Sequence, residues 1–129
     1  MTTELTWLAL TCLFTAVMWV PYILNRISTQ GLVGALGYPQ NPKPIPAWAE
    51  RLKKAHYNSI ENLVVFGLLV VIAHLANIHS SVTVAACVAY FWARLAYAVV
   101  YTLGIPVART LTFAVSSFCS LAMAASVLL

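Results

Sequence analysis

The sequence predicts an all-α integral membrane protein, a bundle of four transmembrane helices, and three observations carry that expectation. Of its 129 residues, 62% are hydrophobic and only 8% are charged, against about 25% charged in a soluble domain. A chain this short has too little interior to hide so much apolar side chain from water, so lipid must solvate the remainder. Four apolar stretches stand out, each able to approach the roughly 20 residues a spanning helix needs. Helices satisfy their own backbone in lipid, and no period-two alternation marks a membrane barrel.

The elements follow in order, within a single domain over 1–129. A first helix is expected over about 4–26, where the apolar run from Leu5 to Leu24 ends at Asn25 and Arg26. Glu4 is the only charge before Arg26 and no small-x-small cleavage site follows closely, so this reads as a retained helix rather than a signal peptide. The segment over about 27–46 holds Gly31, Gly34, Gly37, Pro39, Pro42, Pro44 and Pro46. It is expected to be an irregular loop, serving either as a plain linker or in a lid or docking role, with the stretch 31–37 placed on the membrane surface. A second helix, about 47–77, is apolar from Leu63 to Leu75 and reaches spanning length only by drawing Asn58 and Glu61 into the membrane. A third, about 81–104, is apolar from Val82 to Leu103 except for Arg94. A fourth, about 107–128, follows the break at Gly104 and Pro106.

Charge sets an orientation. Arg26, Lys43, Arg51, Lys53 and Lys54 flank the first loop, and Arg109 follows the turn between the third and fourth helices. The termini and the turn Asn77-Ile78-His79-Ser80 carry no Lys or Arg. The positive-inside rule then places the loop in the cytoplasm and both termini outside. The absence of targeting extensions suggests a bacterial inner membrane. The net charge of +4 reflects this asymmetry; basic residues at a membrane edge, with no soluble domain behind them, argue against a nucleic-acid partner. Cys12, Cys87 and Cys119 lie inside apolar stretches without CxxC spacing, which suits packing rather than a disulfide. There is no aspartate, and no metal site is expected.

Polar side chains within a membrane are costly and therefore functional candidates. Arg51, Lys54, Asn58 and Glu61 recur at spacings of three, four and three, on one helical face. Tyr90, Arg94, Tyr97 and Tyr101 recur at four, three and four on the next helix. Measured inward from the Asn77–Ser80 turn, Glu61 lies at roughly 24 Å and Arg94 at roughly 21 Å. The matched depth predicts a Glu61–Arg94 ion pair, because a buried arginine without a carboxylate is expensive. Such a pair could serve only to fix helix register. The further cations and phenols on the same faces point instead to a cavity for a polar, anionic ligand, with Arg109 either overhanging it or anchoring at the interface. His74 and His79 are expected at the outer edge, and His56 on a face away from Glu61. Trp7, Trp19, Trp48 and Trp92 read as belt or packing residues, and Ser116, Ser117 and Ser120 suit close helix packing.

The stretch Glu50-Arg51-Leu52-Lys53-Lys54-Ala55-His56-Tyr57-Asn58-Ser59-Ile60-Glu61 resembles the second-helix signature of the MAPEG family, the membrane-associated proteins of eicosanoid and glutathione metabolism. That signature reads Glu-Arg-x-x-Arg-Ala-x-x-Asn-x-x-Glu. The stretch Tyr90-Phe91-Trp92-Ala93-Arg94-Leu95-Ala96-Tyr97, followed by Tyr101 and Gly104, resembles the third-helix signature, most closely that of the leukotriene C4 synthase branch. The resemblance covers nearly the whole chain. It implies a homotrimer with glutathione between neighbours in the cytoplasmic half of the bilayer. Arg51, Lys54, Asn58, Glu61, Arg94, Tyr97 and Tyr101 would line that site, Arg26 would reach it from a neighbour, and Arg109 would match the arginine that activates the thiol. Lys54 stands where the family usually has arginine, Asn62 where an aromatic is common, and Phe113 near a tyrosine of some synthases.

Three readings stay open on these residues. One is a glutathione-dependent membrane enzyme, of transferase or peroxidase type, acting on hydrophobic electrophiles. Another is a family member without catalysis, a binding or structural membrane protein. A small four-helix exporter is the third and weakest, since that class relies on a carboxylate within its first helix and here only Glu4, at the start, is available.

Overall fold

The computed structural model describes the whole chain, Met1–Leu129, as five helices and no strand. They are α1 (Thr3–Val17), α2 (Trp19–Leu36), α3 (Ala47–Leu75), α4 (Ser81–Thr102) and α5 (Pro106–Leu128). α1 and α2 form one bent span, Thr3–Leu36, and the other three helices are each long and apolar enough to cross a membrane. The protein is thus a multi-pass integral membrane protein. One end of the bundle carries the α3–α4 turn; the other carries the α2–α3 connection and the α4–α5 turn.

Local chemistry explains where the helices begin, bend and stop. The Thr2 hydroxyl caps α1 by accepting from the Leu5 N–H at 3.3 Å. Pro21 has no N–H to offer the Val17 carbonyl and its ring crowds that group, so the ladder breaks there. Met18 keeps a right-handed helical conformation (φ −60°, ψ −23°), so the span bends rather than ends. α3 stops at Ala76, where Asn77 adopts φ 57°. The Ile78 N–H returns to the Ala73 carbonyl and the Asn77 N–H to that of His74, a Schellman closure. Gly104, with φ 77°, closes α4 in the same way through Ile105 to Val100 and Gly104 to Tyr101. Pro106 then opens α5 at a position where its missing N–H costs nothing.

The α2–α3 connection departs from the expected loop over 27–46. Helix persists to Leu36, interrupted at Gly31, whose φ of 75° only glycine adopts without strain. The Gln30 carboxamide donates to the Lys43 carbonyl at 2.9 Å and accepts from its N–H at 3.1 Å. This clamp brings the two ends of the segment together, as in a compact surface loop.

Only 23 of 129 residues are buried, so most apolar side chains face outward, where lipid or another chain must cover them. The core is centred on α4, which packs against α1, α3 and α5. Toward the α3–α4 turn, Phe66 and Tyr90 stack in parallel at 3.7 Å among Val70, Cys87, Cys119 and Met123. At the other end, Met18, Leu52, Ala55, Tyr97 and Ala98 form a second cluster beside the bend. Two polar ties fasten the first span. The buried Glu4 carboxylate accepts from the Thr83 hydroxyl at 2.8 Å and lies 3.3 Å from His79 Nδ1. The Tyr22 hydroxyl meets His56 Nδ1 at 2.7 Å.

Candidate functional site

The polar residues of α3, α4 and α5 converge at the end that holds the α4–α5 turn. A row of alternating chemistry runs along it. The Arg94 guanidinium lies 4.2 Å from the centre of the Tyr97 ring. Tyr97 meets Tyr101 edge to face at 5.5 Å, and the Arg109 guanidinium lies 5.1 Å from the centre of the Tyr101 ring. The helical spacing of Arg94, Tyr97 and Tyr101 puts them on one strip of α4. Arg109 reaches the strip because Pro106 starts α5 immediately after the Gly104 closure.

Arg51 completes the group from α3. Its Nε donates to the Thr102 carbonyl at 2.9 Å, neutralising an open carbonyl at the negative end of α4. Gly104 makes this approach possible, since a Cβ there would stand 3.3 Å from the guanidinium carbon. Arg51, Tyr101, Gly104, Ile105, Pro106 and Arg109 line a cavity of about 190 Å³. Two arginines and no carboxylate border it, so its chemistry suits an anion.

Arg94 is 1% exposed, yet the expected Glu61–Arg94 ion pair does not form. Arg94 Nη2 donates to Asn58 Oδ1 at 2.7 Å and to Ser59 Oγ at 2.9 Å, and Nη1 donates to Ser116 Oγ at 3.4 Å. Every acceptor is neutral. Glu61 is exposed and pairs with no cation. Depth was matched, but direction was not: Arg94 meets the face of α3 that carries Asn58 and Ser59, whereas Glu61, about 60° beyond Asn58 and about 200° from Ser59, is exposed.

The α3 candidates therefore form an edge of the chain. Arg51 and Asn58 are half-buried where α3 meets α4, whereas Lys54 and Glu61 point outward. Lys54 lies 3.9 Å from Glu50, one turn before it, with both side chains well exposed. Arg26 is exposed on α2, which packs mainly on α3, so it stands apart from the α4–α5 row within one chain. His56 turns toward Tyr22. Ser59 and Ser116, the hydroxyl partners of Arg94, were not singled out by sequence as its acceptors; Ser116 read as a packing residue. Asn62, whose Nδ2 donates to both the Asn58 carbonyl (2.9 Å) and Asn58 Oδ1 (3.2 Å), was noted only as a departure from a motif. The signal for all three was a polar residue one turn or less from a buried charge's level.

Fold and site together define a small four-span membrane protein with a cationic pocket at one end, bordered by Arg51, Arg109 and the Tyr101 phenol. The chain matches the model of the MAPEG family over residues 5–129, essentially its whole length, and belongs to that family. The family includes glutathione-dependent transferases and peroxidases and also members without catalysis. No curated protein matches the chain.

Proposed function

We propose that this protein binds glutathione at the Arg51–Arg109 end of the bundle and uses it, as a transferase or peroxidase, on hydrophobic electrophiles that arrive from the bilayer. The observation that carries this reading is the row Arg94-Tyr97-Tyr101-Arg109, whose outer members Tyr101 and Arg109 join Arg51 around a cavity that no carboxylate borders. The donor set fits the ligand's chemistry. Glutathione has two carboxylates, which suit Arg51 and Lys54; its peptide groups suit Asn58 and the phenols of Tyr97 and Tyr101; its ammonium suits Glu61. Arg94, being enclosed, would act by holding Asn58 and the Tyr97 ring. Arg109 would stand near the sulfur. A cysteine thiol has a pKa near 8.5 and only its thiolate attacks, and a guanidinium beside it favours that form.

Lys54 and Glu61 point away from their own protomer, and this supports a homotrimer in which a neighbour closes the site and supplies Arg26. The lysines and arginines around the α2–α3 connection support a cytoplasmic site with both termini outside. Calorimetry of glutathione with detergent-purified protein, together with the ultraviolet absorbance of the thiolate, tests the proposal. Saturable binding with a thiolate band near neutral pH is expected; no binding at millimolar glutathione refutes it. The non-catalytic alternative draws on Arg109, whose guanidinium rests over Tyr101 on an exposed part of α5. Binding without a thiolate band would select it.

A further inference from the structure

We infer that Asn62 is a positioning residue that locks the Asn58 carboxamide so that only its NH₂ group faces the site. The inference rests on the reading of this edge as a glutathione site and deepens it, by naming what Asn58 can recognise and which side chain enforces the choice.

Asn58 Oδ1 accepts two hydrogen bonds, from Arg94 Nη2 at 2.7 Å and from Asn62 Nδ2 at 3.2 Å. A guanidinium can only donate, so the oxygen, not the nitrogen, must face Arg94. The two donors fill both lone pairs of that oxygen. Asn58 Nδ2, by contrast, has no partner within the chain and lies on the half-buried edge between Arg51 and Glu61. The position therefore offers two N–H donors and no acceptor. It takes a carboxylate or a peptide carbonyl and rejects an ammonium group.

Arg94 alone would fix which atom is which but would leave the amide plane free to rock, because this terminal torsion is soft. Asn62 removes that freedom. Its Nδ2 is itself anchored by donating to the Asn58 carbonyl at 2.9 Å, the i to i−4 contact of a helix, and the remaining proton of the same nitrogen is then directed at Oδ1. An aromatic or aliphatic side chain at 62 would leave Oδ1 with one donor.

The test uses full-length protein in nanodiscs and the variants Asn62→Ala and Asn62→Ser. Serine can still donate to the carbonyl four residues back but does not reach Oδ1, so it separates the side-chain bond from the backbone one and serves if the alanine variant folds poorly. With ¹⁵N-labelled asparagine, the Asn58 side-chain NH₂ resonance, assigned by its loss in Asn58→Ala, should move in both variants without glutathione present. By calorimetry the glutathione Kd should rise about threefold to tenfold in both, while the thiolate absorbance per bound glutathione stays unchanged. A resonance that does not move, or an unchanged Kd alongside a weakened Asn58→Ala, overturns the role of Asn62 and leaves the site standing. Unchanged binding in Asn58→Ala overturns the glutathione reading of this edge and the assigned role with it. The resonance then reports separately whether the clamp exists.

Discussion

Arg94 and its neutral partners allow a double-mutant cycle whose outcome differs sharply between two geometries. The cycle compares Arg94→Ala with Asn58→Ala, and Arg94→Ala with Glu61→Gln, each alone and combined. Arg94 donates to Asn58 Oδ1 at 2.7 Å. Side-chain hydrogen bonds in membranes average roughly 0.6 kcal/mol and reach about 1.7, and a charged donor belongs at the upper end. A coupling of about 1–2 kcal/mol between Arg94 and Asn58 follows. Glu61 faces outward, so its coupling to Arg94 should stay within about 0.5 kcal/mol. A buried ion pair would instead make Glu61→Gln costly by roughly 3–5 kcal/mol, by stranding the cation. Equilibrium unfolding in mixed SDS–detergent micelles, followed by circular dichroism, measures all three terms. A Glu61–Arg94 coupling above 1 kcal/mol, or an Arg94–Asn58 coupling near zero, would refute the geometry.

Three further outcomes follow from the same structure. Gly104→Ala should destabilise the protein by about 1–2 kcal/mol, since alanine at positive φ is strained; its Cβ would also press on Arg51, and thermal unfolding reads both effects together. Arg109→Ala should leave the glutathione Kd within about twofold but lower the thiolate fraction and slow any conjugation, because its charge acts at the sulfur; an intact thiolate band in this variant would remove Arg109 from the chemistry. Reporter fusions at the C-terminus should report the outside of the membrane, and cytoplasmic activity there would reverse the orientation.

Much of the fold was legible because lipid imposes strong constraints. Span number follows from apolar length, and the turns follow from Gly104, Pro106 and Asn77. What was not legible was the helical continuation through 27–36. Gly31, Gly34 and Gly37 signal an irregular segment, and only Gly31 leaves helical geometry inside the helix. The Gln30–Lys43 clamp across the segment was not legible either, because a side chain that bonds to backbone leaves no signature at the receiving residue.

The site shows a deeper limit. The rise of 1.5 Å per residue fixes height along a helix, and on height alone Glu61 and Arg94 match. Which way a side chain points depends on which face of α3 meets α4. In a soluble bundle the apolar stripe marks that face. In a membrane the outward face is also apolar, so the stripe vanishes and small residues carry the information instead. The small residues buried on α3 are Ala49, Ala55, Ser59 and Ala73, and the polar one among these, Ser59, meets Arg94. The serine next to Asn58 was therefore the better predictor of the arginine's partner than the only carboxylate at its depth. The same geometry leaves Glu61 and Lys54 as charges on an outer edge, and a charge on the lipid side of a span is stable only when something polar covers it. An edge so charged, next to a buried arginine with only neutral acceptors, is the physical ground for the proposal that glutathione and a neighbouring chain cover it.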